Sequence, residues 1–265
     1  EVMADKSVDA VFVLTNLETH HHFSSLALHS GKHVLVEKPV ACTVEDLKDL
    51  RDTATTRGLV CMPGHNYIYE PGVIRMRDML QEGNLGRLVS IYFMYNIAHP
   101  EHVAKKYPGV IQQILTHHAY TLLFLAGRPL RLSAMKATLH YETIPQEDIA
   151  MVNLQLEDGA LAHFCASFAA DDHTSDPWTV IIKVLGTEGG VRYSYRDWVE
   201  YRPGEVHSHV YTGYHKSMEN EVDHFVNQCI TKSKPPLSSL EDAMVAFAMV
   251  AAAEQSAAEG LTISL

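Results

Sequence analysis

The chain has 265 residues, 46% of them hydrophobic and 20% charged, which suits a soluble globular protein with a substantial core. Its 32 acidic and 21 basic residues leave a formal charge of -11, which argues against a nucleic-acid partner because such binding relies on basic patches. No apolar run is long enough to span a bilayer, so no membrane partner is expected, and residues 1–7 lack the basic and apolar regions of a signal peptide. Cys42, Cys61, Cys165 and Cys229 form no CxxC pair, disulfide framework or zinc pattern, and a reducing cytoplasm is the expected location.

In chain order, residues 8–14 (VDAVFVL) form a β-branched apolar run that predicts a strand buried on both faces. A polar turn over residues 15–19 leads to a helix over 20–29, with Gly31 as its stop signal. Residues 33–36 (HVLV) predict a second buried strand. Residues 43–57 predict a helix with Thr43 as N-cap, Asp46 completing the box-like pattern and Gly58 ending it. A third strand follows at 59–62. This alternation means βαβ units and a parallel sheet.

The character changes after Pro63-Gly64. Helices are predicted over 71–82 and 110–126, with a strand over 88–97 between them. Strand-like stretches at 150–156, 161–168 and 179–185, separated by turns such as Glu157-Asp158-Gly159, predict a mostly antiparallel sheet. Two helices, 217–231 and 239–259, finish the chain. The expected fold is α/β, with residues 1–63 as part of a parallel-sheet domain and 64–265 as an α+β domain with an open, mostly antiparallel sheet.

The sharpest motif is Gly31-Lys32-His33-Val34-Leu35-Val36-Glu37-Lys38-Pro39. A buried strand delivers Glu37 and Lys38 at its carboxyl end, where ligands bind in open parallel sheets. A lysine there can hold a substrate hydroxyl and share its proton, especially when burial lowers its pKa. The plainer alternative is a surface Glu-Lys pair before a proline turn. His207 and His209 could share one strand face and bind a metal, but with no third ligand in the sequence an ordinary surface strand is the expectation, and no metal is assigned.

The motif resembles the GKHVxxEKP signature of the Gfo/Idh/MocA oxidoreductases, the glucose-fructose oxidoreductase and inositol dehydrogenase type. Other blocks fall in the family's order. Residues 15–20 (TNLETH) sit at a TPNxxH-like turn, with Asn16 at the usual proline and Leu17 at the usual asparagine. Gly64-His65-Asn66-Tyr67 sits at a GHxxR-type junction, and Gly186-Thr187-Glu188-Gly189 at a GTEG turn. Counting back from Leu125-Ala126-Gly127 places the family's histidine at His117, while Gln113 and Tyr120 stand where aspartates are usual.

The resemblance implies a partial Rossmann domain, NAD or NADP as cofactor, a small carbohydrate or polyol substrate, and a homo-dimer or homo-tetramer. It implies hydride transfer at a sugar, polyol or cyclitol hydroxyl, with Lys38 and His117 handling the proton and Gln113 orienting His117. Thr15, Asn16, Leu17, His20, Glu37 and Lys38 would lie along the cofactor, and Glu37 would anchor Lys38. Tyr67 and His118 would face substrate, His118 also serving as the fallback for His117; packing is the alternative for Tyr67 and Tyr69. The lost aspartates keep two other readings open: NAD-assisted glycoside cleavage or epimerisation without net redox change, and a non-catalytic homologue. The sequence contains no GxGxxG turn after a strand. The expectation is therefore a longer protein whose first nucleotide-binding segment lies outside this sequence, rather than a natural truncation.

Overall fold

Three short apolar runs become three parallel strands: β1 (Ala10–Val13), β2 (His33–Glu37) and β3 (Cys61–Gly64), in that spatial order. The register pairs Val13 with Val36 and Glu37 with Gly64, so Lys38 begins where the ladder ends. Val34, Leu35 and Val36 are all buried, as strands covered on both faces require. The connections are α1 (Leu17–His29) and α2 (Val44–Arg57). Thr43 caps α2, its Oγ1 accepting the Asp46 amide at 3.1 Å, and Gly58 closes it at φ +64°. A computed structural model describes residues 2–171, 179–194 and 212–265; His207 and His209 lie outside the described residues.

The chain divides into two units. The first comprises residues 1–69 and 217–247. After β3 the segment Asn66–Tyr69 winds as a 3-10 turn. It is held by α6 (Thr212–Asp223): Asn66 Nδ2 donates to Ser217 Oγ at 3.0 Å, and Asn220 Nδ2 donates to the Tyr69 carbonyl at 3.0 Å. The Tyr69 hydroxyl is 3.0 Å from Ser238 Oγ, which donates to the Pro63 carbonyl at 2.8 Å. Tyr69, 1% exposed, is thus a core residue by packing. The predicted helix at 217–231 begins earlier, at Thr212, and loosens into a π-helical stretch at His224–Ile230.

The second unit comprises residues 70–216 and 248–265. Its sheet has seven strands: β4 (Leu88–Asn96), β5 (Pro129–Ala137), β6 (Ile149–Leu156), β7 (Leu161–Ser167), β8 (Thr179–Gly186), β9 (Gly190–Ser194) and β10 (Ile263–Ser264). The spatial order is β10-β5-β6-β7-β4-β8-β9, antiparallel except for the β4 and β7 pair. Period-2 alternation buries Ile91, Phe93 and Tyr95 of β4 and leaves Tyr92 exposed, while Val89, of the buried parity, is exposed where the register shifts between Leu88 and Ser90. Helices α3 (Pro71–Gln81), α4 (Glu101–Ala104) and α5 (Thr116–Ala126) belong to this unit, and α7 (Leu240–Glu259) begins in the first unit and ends in it. Leu115, Ala119, Leu132, Val152, Phe164 and Met249 line one core void of this unit, which places α5 and α7 on the buried face of the sheet. The expected architecture, a parallel sheet followed by a mostly antiparallel open sheet, is the one found. All four cysteines are free thiols. Among the described residues no helix is long and apolar enough to cross a membrane, and no cluster of three or more His, Cys, Asp or Glu could hold a metal.

Candidate active site

The predicted residues fall into two groups, one on each unit. In the first unit they gather at the carboxyl ends of the parallel strands. Leu14, Thr15 and Asn16 are exposed after β1, and Asn16 starts α1 without a side-chain capping bond. The Asn16 side chain therefore caps none of the amides of that first turn, and the Thr19 amide donates to the Asn16 carbonyl at 2.9 Å. His20, on the inner side of the same turn, is 2% exposed. Its Nδ1 lies 2.7 Å from the Pro39 carbonyl and its Nε2 lies 2.8 Å from the Thr15 carbonyl.

Glu37 ends β2, and the Lys38-Pro39 peptide bond that follows is cis. Burial raises the Glu37 carboxyl, while the charge and amide of Lys38 and the nearby His20 pull it back. Burial likewise lowers the Lys38 amine from the ordinary lysine range, with Glu37 opposing that shift. Gly64 lies close opposite: an added Cβ would stand in tight contact, 3.2 Å from Glu37 Oε2 and 3.2 Å from the Val36 carbonyl. Tyr67 is 7% exposed.

Two further groups complete this cluster. His65, on the strand end beside β2, is 3% exposed, and burial together with the Lys38 charge holds its imidazole well below the usual histidine range, so it is neutral. Glu221 of α6 is 7% exposed, its Oε1 has no hydrogen-bond partner, and burial plus the Glu37 charge push its carboxyl up to about 8. At neutral pH Glu221 is mostly protonated. Sequence reading passed over both residues: His65 lay inside a quoted junction motif but was given no role, and Glu221 carries no local signal.

In the second unit the helix predicted over 110–126 is a π-helical turn, Ile111–Leu115, continuing into α5. Such wide turns recur at functional sites. Gln113 and His117 are both partly exposed, whereas Ile114, Leu115, Thr116 and His118 around them are buried. His118 occupies the core: its ring stacks on Phe93 at 5.6 Å and meets Phe164 edge-on at 5.5 Å. Its pKa falls to about 3, first through burial and then through His163, and its Nδ1 has no partner. A neutral core ring so enclosed has no path to a substrate, so its fallback role is not carried forward. Tyr120, where the family has an aspartate, is 2% exposed and fills core volume.

A carboxylate unnoticed in the sequence sits at the start of this helix. Glu147, 7% exposed, accepts the Ile111 amide on Oε1 at 3.1 Å, and its Oε2 lies 3.7 Å from Lys136 Nζ. Gly109, at φ +117°, leaves the space that this carboxylate fills.

Residues 1–65 match the family described as "Oxidoreductase family, NAD-binding Rossmann fold", and residues 73–192 match the "GFO/IDH/MocA C-terminal domain". The chain is 30% identical over 199 residues to 1,5-anhydro-D-fructose reductase of Ensifer adhaerens, covering 72% of this chain and 58% of that protein. It is 23% identical over 282 residues to scyllo-inositol 2-dehydrogenase (NAD(+)) of Bacillus subtilis (strain 168), covering 100% of this chain and 80% of that protein. The solved scyllo-inositol dehydrogenase from Lactobacillus casei, with bound NAD(H) and scyllo-inositol, shares the fold at a TM-score of 0.83 and 17% identity, over 99% of this chain and 82% of that one. With two matched segments in family order, this chain belongs to the Gfo/Idh/MocA family of NAD-binding oxidoreductases.

Proposed function

We propose that the protein is an NAD(P)-dependent oxidoreductase acting on a hydroxyl of a sugar, polyol or cyclitol. The observation that carries this reading is the Glu37-Lys38 strand end. It is a desolvated lysine amine with one adjacent carboxylate, a neutral His65 and a protonated Glu221, at the edge where parallel sheets bind ligands. The named functions of the relatives, reduction of 1,5-anhydro-D-fructose and dehydrogenation of scyllo-inositol, support the substrate class.

The residues present fit the nicotinamide side of a dinucleotide. The exposed turn Thr15-Asn16-Leu17, with its uncapped helix start, would hold the nucleotide, and Lys38 would lie at its reactive end. When bound, the nicotinamide supplies hydride acceptance or donation. Lys38 binds and polarises the substrate hydroxyl. Its lowered pKa brings the amine closer to a proton-sharing range, as acid-base work near neutral pH requires. Glu37 keeps Lys38 charged and oriented. His117 relays the hydroxyl proton, Gln113 orients His117, and Tyr67 contributes to the substrate wall. Residues 1–63 act as the later part of the nucleotide-binding domain, and 64–265 as the substrate-binding domain through which the protein forms a homo-oligomer, with residues 217–247 of that span grouping with the first unit. The matches at residues 1–65 and 73–192 support that division.

The test is a panel of myo-inositol, scyllo-inositol and 1,5-anhydro-D-fructose, assayed in the full-length protein with NAD and NADP in both directions. Stoichiometric conversion of nicotinamide with product supports the reading. Product without nicotinamide conversion replaces it with the non-redox reading, and no nucleotide binding at all replaces it with the non-catalytic one.

A further inference from the structure

The resemblance assigns His20 to the cofactor. We infer instead that His20 is a positioning residue: its imidazole ties the turn after β1 to the turn after β2 and so fixes the backbone that presents Lys38. This inference rests on the proposed role of Lys38.

An imidazole has two hydrogen-bonding atoms, and both are committed here, Nδ1 to the Pro39 carbonyl at 2.7 Å and Nε2 to the Thr15 carbonyl at 2.8 Å. At 2% exposure, no ring nitrogen remains for a nucleotide. The two partners sit just past the last ladder pair, Val13 with Val36, on the two connections that carry the candidate site. Thr15 begins the exposed turn. Pro39 has no amide hydrogen of its own and directly follows Lys38. One side chain thereby spans two adjacent strand ends that the ladder has released.

A carbonyl oxygen only accepts, so in either neutral tautomer the ring donates to one of the two carbonyls and stands against the other. Close to the ring is Glu37 at the end of β2. One residue along α1, His21 has its own partners on α2, Asp49 at 2.8 Å and Asp46 at 3.5 Å. Glu37 gains from it: His20 lowers the Glu37 carboxyl, and Glu37 in turn favours the charged Lys38. The chain of influence runs from His20 through Glu37 and the Pro39 backbone to Lys38.

The test has two parts. In ¹⁵N-labelled native protein, both His20 ring nitrogens are expected to keep their shifts when NAD is added. A ring nitrogen that moves on NAD addition overturns the inference. In the full-length enzyme His20→Gln, which keeps only one donor group, is expected to lower kcat by up to about 100-fold while the dissociation constant for NAD stays within about twofold. Weakened NAD binding with kcat unchanged marks a direct cofactor contact and also overturns it. Failure of the underlying reading is separable: if Lys38→Ala retains turnover, the role of Lys38 falls, while the ring-nitrogen result still reports on the clamp.

Discussion

Glu147 Oε1 accepts the Ile111 amide at 3.1 Å, so the helix that carries Gln113 and His117 begins on a buried carboxylate 36 residues further along the chain. Glu147→Ala leaves that amide without its acceptor, and Lys136 then relies on Glu254 alone. Unfolding in urea should show a loss of roughly 1.5–3 kcal/mol, the range for a hydrogen bond to a charged group. Glu147→Gln, which keeps an acceptor, should lose less. Equal losses for the two variants would contradict a role for the Ile111 bond.

Gly109 provides the matching test from the other side. A Cβ there would stand 2.2 Å from Glu147 Oε1, and its φ of +117° disfavours any L side chain. Gly109→Ala should destabilise by about 2 kcal/mol or more. In the Glu147→Ala background the clash disappears and only the backbone strain remains, so the penalty should shrink. An unchanged penalty would mean that the carboxylate does not occupy that space.

Glu221 makes stability depend on pH. Its folded pKa of about 8 lies above the ordinary 4.5, so the folded state holds a proton that the unfolded chain has released between those values. Its stabilising share is fully present below pH 4.5 and is lost as pH rises through about 8. Glu221→Gln, a permanent mimic of the protonated acid, should flatten that decline in melting temperature between pH 6 and pH 9. A decline of the same steepness in the variant would contradict the assignment.

His118 acts with the opposite sign. Its folded pKa of about 3 lies below the ordinary 6.5, so the unfolded chain takes up a proton that the core ring refuses. Stability is therefore lost as pH falls from 6.5 toward 3. His118→Phe cannot titrate and keeps an aromatic ring against Phe93 and Phe164, so its stability should change less between pH 6.5 and pH 5 than that of the unaltered protein. An equal change would place the acid sensitivity elsewhere, with His65 the next group to vary.

Much of the fold was legible because its signals are local. Thr43, Asp46 and Gly58 bracket α2 within 16 residues, and the capping bond they announce is present. Residues 34–36 read as a buried parallel strand because no polar residue interrupts them, whereas residues 8–14, expected to be buried on both faces, carry Asp9 and leave Phe12 46% exposed in β1. Lys38 was legible through a motif at a strand end. Glu221 and Glu147 were not, because nothing within a few residues of either marks it. Their roles arise when α6 is pinned to the 66–69 turn by bonds that span 151 residues, and when the segment before β6 folds back over Gly109. His118 misled because it adjoins His117 in sequence. One residue along a helix is a large rotation, enough to turn one ring into the core while its neighbour stays partly exposed. His20 was placed in the right turn, but only the three-dimensional contacts reveal that two backbone carbonyls take both of its nitrogens.

The most direct test of the account is turnover of the full-length protein and its Lys38→Ala variant on the preferred cyclitol or sugar, with NAD affinity measured on both. The expected result is nucleotide-dependent turnover that falls by at least about 100-fold in the variant while NAD still binds. Turnover unchanged by the loss of Lys38 would contradict the central claim.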